Sequence, residues 1–450
     1  MRRLLMGWFV FAACAVCAAE DYRAGVSRVE ITPTEALWAG GYASRQAAVS
    51  ETEQELWAKV LVLQDGGGYR IVFVTMDVEN VPGAFAESVA GELCGRFGLR
   101  REQIAVCCSH THSGPVLWSL EAQITYPMGP DQLAATRRYT QGLAKKLVEA
   151  TGKAMGSLGP ADLAYGVGRA DFAVNRRNNN EADVAKEGYE PKDPVDYDVP
   201  VLRVTDGEGR LRAVLFGYAC HCTTMSFSRW CGDYAGYAQA AVEGAHPGVT
   251  ALFVAGCGGD INPMPRRKLA SCKAHGRALA GAVEKAVAGT MRPIEGEFGA
   301  GLRRIDLAFE KLPTREDLAR QAAEGNAFEK RRAKLLLAEI EAGRGLSGSY
   351  PYPIQVVQLG EELTAVVLGG EAVVDYSLRL KRELGAGRTW VFAYANDVCA
   401  YIPSERVLKE GGYEGGTSMV YFGRPATWAA GLEGRIVATV RELAEGLRGR

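Results

Sequence analysis

A chain of 450 residues is long enough to bury a large hydrophobic core, either as one big α/β unit or as two or three domains. Its 47% apolar and 23% charged residues are ordinary for a globular protein. A formal net charge of −1, with no long basic stretch, excludes a nucleic-acid partner, because phosphate binding needs a clustered cationic surface.

Residues 1–19 read as a secretory signal: Arg2 and Arg3, an apolar run from Leu4 to Val16, then Cys17-Ala18-Ala19 before Glu20-Asp21. The run is too short to span a bilayer and ends in small residues, so cleavage after Ala19 and a secreted or periplasmic protein are expected. Phe11-Ala12-Ala13-Cys14 offers an alternative, a lipoprotein tethered through Cys14. No later segment is long and apolar enough to span a membrane, and residues 20–450 form the expected mature domain. Two of the eleven cysteines lie in the signal, leaving an odd number without a CxxC pair. That pattern favours small buried cysteines over a cysteine-rich metal site.

Strand-like pieces around Val26 to Ile31 and Trp57 to Leu63 precede Tyr69 to Val78, a near-continuous apolar run of the kind covered on both faces. It carries Asp77 at its end, where α/β proteins gather chemistry. A helix over Ala84 to Phe97 and a strand over Ile104 to Cys108 complete a βαβ unit. The strand runs into Ser109-His110-Thr111-His112-Ser113-Gly114-Pro115, which holds two of the chain's five histidines. In an extended segment residues i and i+2 share a face, so both imidazoles are expected to point the same way, either as ligands or as polar residues bonded at a strand end.

A long helix is predicted over Pro130 to Met155 and a strand over Leu163 to Val167. The stretch Asn175-Arg176-Arg177-Asn178-Asn179-Asn180 then opens a long irregular segment up to Pro200. A guanidinium flanked by asparagines suits a carbonyl or carboxylate, and equally a solvated surface. Val201 to Val204 and Leu211 to Ala219 form a predicted hairpin whose second strand leads straight into His221, so a third histidine sits where an apolar strand meets a polar loop. A helix from Asp233 to Ala245 and a strand from Thr250 to Ala255 deliver Gly256-Cys257-Gly258-Gly259-Asp260, where glycines would admit a ligand close to the backbone. A helix containing Cys272 and His275 follows. Further on, the pattern gives a strand over Phe298 to Leu307 and one charged helix over Thr314 to Ala342. A hairpin over Ile354 to Leu359 and Thr364 to Leu368 ends in Gly369-Gly370-Glu371. A helix over Val373 to Leu384 and a strand over Thr389 to Ala393 then lead to Asn396 and Tyr401. The fold class expected is α/β, a large mixed sheet with flanking helices and its site at strand C-terminal ends.

The ordered set SHTHSGP (109 to 115), Asn175-Arg176, GYACHCTTM around His221, Gly259-Asp260 with Pro263, GGE (369 to 371), Asn396 with Tyr401-Ile402, and YEGGTS (413 to 418) resembles the neutral (non-lysosomal) ceramidase family, zinc-dependent amidases. The matching pieces extend from about residue 26 to 425. The resemblance implies Zn2+ held by His110, His221, Glu371 and Tyr401, with His112, Arg176 and Tyr413 around the scissile carbonyl. Asn262 stands where the family shows a serine; it donates hydrogen bonds but is a poor nucleophile, which favours a metal-water route. The family's C-terminal β-sandwich domain is expected to be absent. The reading is therefore a zinc amidohydrolase acting on a small-molecule or lipid N-acyl substrate, with ceramide or an N-acylated sugar as candidates. The alternatives are a catalytically silent lipid- or glycan-binding relative and a zinc esterase or deacetylase.

Overall fold

The computed structural model describes residues 22–448; the signal expected over residues 1–19 lies outside the described residues. Two sheets pack face to face. The larger runs in the order Ile104–Cys108, Arg70–Met76, Trp57–Gln64, Arg23–Glu30, Gly159–Arg169, Asp198–Asp206, Leu211–Tyr218, Thr250–Ala255. It is mixed: the outermost pair at each end is parallel and every pair between is antiparallel. The smaller sheet, Phe298–Ala308, Ser349–Leu359, Leu363–Leu368 and Thr389–Phe392, is antiparallel until its last, parallel pair.

Strands in a two-sheet layered core must be apolar on both faces, and the side chains divide accordingly. In Trp57–Gln64, Leu61 and Leu63 join the core between the sheets, where they meet Phe73, Val357, Trp390 and Phe392. Ala58, Val60 and Val62 join the core beneath the helices. Each fully buried side chain such as Phe73 or Phe392 contributes roughly 1.5–3 kcal/mol to that packing. Helices Gly83–Phe97, Pro130–Gly156, Asp233–Ala245 and Leu269–Ala288 cover the outer face of the large sheet, while Val374–Leu384 and Leu432–Arg448 cover that of the small one. The layering is helices, sheet, sheet, helices: the large mixed sheet with flanking helices is as expected, and the second sheet packed against it is an addition to that expectation. No helix among the described residues is long and apolar enough to cross a membrane.

The predicted strands and helices are present, most with ends moved by a few residues. One differs in kind: the single helix expected over Thr314 to Ala342 is two, Arg315–Glu324 and Ala327–Glu341. Gly325 ends the first, and Asn326 caps the second by accepting from the backbone N–H groups of Phe328 and Glu329, a reciprocal box with Glu329 that restarts the chain in a new direction. All nine cysteines among the described residues are unpaired, and eight are buried.

What matters for the site is how the sheets meet. Both edge strands of the large sheet touch the end of Thr389–Phe392: Cys107 bridges Ala395 and Gly256 bridges Phe392. The Asn396 backbone N–H donates to Val106 C=O (2.7 Å) and that of Ala393 to Ala255 C=O (2.9 Å). Three parallel pairs therefore deliver their C-terminal ends to one place.

Candidate metal centre

His110, His112 and His221 offer ring nitrogens that all lie within 4.8 Å of one another, and all three residues are buried. The first pair is built differently from the expectation. The strand stops at Cys108, and His110 adopts a left-handed backbone with φ of 57°. A non-glycine residue held in that region stores strain, which marks over-determined positions near functional sites. Thr111 then bridges Cys222, and the His112 N–H donates to Cys222 C=O at 3.1 Å. The imidazoles meet across a turn, not along one face of a strand: Nε2 to Nε2 is 3.2 Å with the rings at 80°.

Two backbone carbonyls fix two of the tautomers. His110 Nδ1–H donates to Glu79 C=O at 2.5 Å, and His221 Nδ1–H donates to Gly258 C=O at 2.5 Å. Each Nε2 lone pair is thereby turned inward, the arrangement in which a metal-binding imidazole is held by its outer partner. Both face the Glu371 carboxylate: Oε2 lies 3.3 Å from His110 Nε2 and 3.0 Å from His221 Nε2. Tyr401 Oη is 3.3 Å from His221 Nε2. Glu371 and Tyr401 arrive together because Glu371–Ala372 and Tyr401–Ile402 form a short parallel ladder in which residue 371 pairs with 401. Gly370 permits this approach; it has φ of 67°, and a Cβ there would stand 2.5 Å from Ile402 Cγ1.

A carboxylate oxygen facing two imidazole lone pairs is a set of acceptors aimed at one another, stable only with positive charge among them. A proton on His110 can supply it: although burial works against this, Glu371 and Glu79 lift His110 above the ordinary histidine range. Burial, then the Arg176 charge, pushes His221 down to about 4. Burial, then the neighbouring imidazoles, holds His112 well below its ordinary value. Despite burial, His110 and His221 keep Glu371 ionised far below the usual carboxylate range. Nitrogen and oxygen donors gathered in this way could hold a divalent metal ion.

Around the cluster stand the other expected residues. Arg176 donates through Nη2 to Tyr401 Oη (3.1 Å) and Gly259 C=O (2.8 Å), through Nη1 to Asn262 Oδ1 (3.3 Å), and through Nε to Glu414 (2.7 Å). It is thus a built part of the site and not solvated surface. Tyr413 packs its ring 5.2 Å from that of Tyr401 and is 44% exposed at the rim. The residues that the family resemblance implied, His110, His112, Arg176, His221, Asn262, Glu371, Tyr401 and Tyr413, lie together here.

Other expectations need correction. Asp77 is structural, accepting from the Trp57 N–H at 3.0 Å and from Gln239. The glycines of the 256–259 turn admit protein and not ligand: a Cβ on Gly258 would stand 2.8 Å from Cys220 N, and one on Gly259 would stand 2.6 Å from Glu371 C=O. Cys220 and Cys222 flank His221 as small buried cysteines, as the cysteine pattern leads one to expect, and burial drives both thiols' pKa up.

Three neighbours escaped the sequence reading. Tyr394 packs its ring 4.3 Å from His110 and leaves its buried hydroxyl without a partner. Glu79 supplies the carbonyl behind His110, and burial raises its carboxyl to about 7. Glu414 clamps Arg176 and Arg177, both at 2.7 Å. Only Glu414 had a signal, its place directly after Tyr413.

The chain is similar to known proteins at two levels. A family model described as neutral/alkaline non-lysosomal ceramidase, N-terminal, matches residues 22–294. Neutral ceramidase B of Dictyostelium discoideum is 29% identical over 230 residues, 46% of this chain and 31% of that protein. Neutral ceramidase A of the same organism is 27% identical over 227 residues, with the same shares. The matched part thus spans about a third of the length of these curated relatives. Among solved structures, the neutral ceramidase from Pseudomonas aeruginosa superposes with a TM-score of 0.74 at 20% identity, covering 96% of this chain and 75% of that one. A ceramidase complexed with C2 gives 0.73 at 19%, covering 96% and 76%. The likeness to these structures shows the shared fold, and the family model, which covers more than half of the chain, shows that it belongs to the neutral/alkaline non-lysosomal ceramidase family.

Proposed function

We propose that the chain is a zinc-dependent amidohydrolase that cleaves an N-acyl amide. The observation that carries this is the inward-facing acceptor set, with His110 and His221 locked by carbonyls and Glu371 and Tyr401 presented beside them. His110, His221, Glu371 and Tyr401 would hold the ion. Zinc so bound supplies a Lewis acid and a water activated near neutral pH.

The remaining work falls to the chain's own residues. His112 is the one imidazole of the three whose Nδ1 is buried without a partner, so no carbonyl commits its tautomer. That freedom suits it to take a proton from the attacking water and return it to the leaving amine. Arg176, braced by Glu414, Gly259 and Asn262, points fixed donors toward Tyr401, where negative charge on the former carbonyl oxygen would develop. Asn262 orients Arg176 in this scheme and forms no covalent intermediate. Ceramide, which the relatives' names point to, and other N-acyl amides both meet these requirements.

The test is metal analysis of the purified protein with a screen of N-acyl amides differing in acyl length, each beside its ester analogue. About one zinc per chain and turnover abolished by a chelator are expected. Full amide hydrolysis by metal-free protein would overturn the reading. A chain that binds zinc yet turns over no amide or ester would be a silent relative.

A further inference from the structure

The three imidazoles are not held alike. A carbonyl at Nδ1 fixes His110 and another fixes His221, whereas His112 Nδ1 is buried without a partner. The ring of His112 is therefore held by something other than a hydrogen bond, and a distant part of the chain supplies it.

Residues 38–41 run antiparallel to residues 114–116, just after His112. Ala39 bridges Pro115, the Gly40 N–H donates to Gly114 C=O and the Val116 N–H donates to Trp38 C=O, both at 2.9 Å. This pairing lays the Gly41 backbone directly on the His112 ring. A Cβ at Gly41 would stand 2.1 Å from His112 Cγ and 2.3 Å from Nδ1, far inside van der Waals contact. The φ of 86° at Gly41 also favours glycine. Tyr42 packs against the imidazole at 73° with ring centroids 4.8 Å apart, and its hydroxyl donates to Met225 C=O at 2.7 Å. Met225 belongs to the loop that begins with His221, so the Tyr42 ring is anchored to the frame of the metal centre. Arg45 completes the grip, donating through Nη2 to His112 C=O at 2.6 Å.

We propose that Gly41 and Tyr42 are positioning residues: they clamp His112 in the orientation that brings its Nε2 to the metal centre, 3.2 Å from His110 Nε2, while leaving Nδ1 uncommitted. Packing fixes the direction of a ring without choosing its tautomer, which a carbonyl at Nδ1 would do. The proposal rests on the hydrolytic reading for the task of His112 but not for the clamp itself. Neither residue touches a reacting atom in this scheme; both act through His112.

Two readouts test it. The first needs no turnover. The chain has five histidines, so isotope labelling of histidine Cε1 gives five ring signals to follow by NMR, that of His112 being the one missing in His112→Gln. Gly41→Ala and Tyr42→Leu should each shift it. The signals of His246 and His275, which bond elsewhere, to Glu284 and to Pro265 C=O, should stay in place.

The second readout is kinetic, with N-dodecanoylsphingosine as substrate. Misplacing a reacting group by about 1 Å costs up to roughly a hundredfold, so each variant should lower kcat by about tenfold to a hundredfold, with KM changed less. Zinc should stay near one per chain. Tyr42→Phe keeps the ring and should recover most of kcat. Added to His112→Gln, Tyr42→Leu should cost little more, because both changes act on one group. The proposal is overturned by an unmoved His112 signal in both variants, by losses that multiply in full with that of His112→Gln, or by zinc lost in step with kcat. Should the wild type turn over no amide while the His112 signal still follows Gly41 and Tyr42, the hydrolytic reading fails and the clamp stands.

Discussion

Two clusters of buried charge sit in this protein and behave in opposite ways. Lys381 on helix Val374–Leu384 donates to Asp196 at 2.6 and 2.8 Å and to Asp198 at 2.8 Å, and Ser377 adds a bond to Asp196 at 2.5 Å. Cation faces anions, every donor on the ammonium is spent, and the group ties the helix to the strand Asp198–Asp206. The histidine cluster is as deeply buried but does not close on itself: acceptors face acceptors, His112 Nδ1 and Tyr394 Oη lack partners, and His110 carries backbone strain. Burial and charge alone therefore do not mark a site. The difference lies in whether the protein's own atoms complete the bonding.

The sharpest way to break that contrast is to remove a residue from each cluster. His221→Ala should lose bound metal and at least two to three orders of magnitude, roughly, in kcat/KM, since charge stabilisation and water activation go together. Its melting temperature in metal-free buffer should move less than that of Lys381→Met, because the bond lost to Gly258 C=O is partly offset by relief of the lone pair facing the Glu371 carboxylate. Lys381→Met should do the reverse. Stranding Asp196 and Asp198 is expected to cost about 3–5 kcal/mol of stability, read from denaturant unfolding, while the folded protein keeps its metal content. If His221→Ala unfolds the protein and Lys381→Met leaves it unmoved, the distinction between the two clusters is wrong.

How much of this could be read beforehand follows the same division. The strands Ile104–Cys108 and Thr250–Ala255 were legible to the residue, because a strand buried on both faces is an uninterrupted apolar run. His110, His221 and Glu371 each stood where such a run met polar residues, and the ordered motifs of the family joined them to Tyr401. What stayed hidden depends on contacts between distant segments. Glu371 and Tyr401 pair in register across thirty residues of chain, and nothing local announces a ladder of two residues. Tyr394 lies in the run Trp390 to Ala395 and reads as one more core aromatic until its ring is seen against His110. The left-handed turn at His110 was missed because an HxH after a strand looks like more strand.

A second comparison, among the three imidazoles, yields a smaller effect. His112→Gln keeps a polar side chain of similar reach but cannot exchange a proton, so kcat should fall about 10²-fold or more, in keeping with general acid–base catalysis. Zinc content should stay near one per chain, since His110, His221, Glu371 and Tyr401 remain. A variant that lost its zinc would make His112 a ligand, and the three-histidine grouping would then describe the centre better than the set with Glu371 and Tyr401.

The smallest expected effect concerns Glu414, which touches no reacting atom and acts through Arg176. Burial opposes its ionisation, yet Arg176 and then Arg177 hold its carboxyl below the ordinary range, so at neutral pH it is a charged brace. Glu414→Gln keeps the shape but accepts through one oxygen only, so one of the two arginines must lose its partner. A loss of roughly tenfold in kcat is expected, on the scale of one charge-assisted bond, with KM changed less. The positioning role has its own signature. Glu414→Asp restores the charge on a shorter stem and should recover part of kcat, whereas a purely structural contribution would show as a lower melting temperature in both variants without that split. Equal kcat in the Gln and Asp variants, with stability lost in step, would mean that the brace serves the fold and that Arg176 is held in place by Gly259 and Asn262 alone.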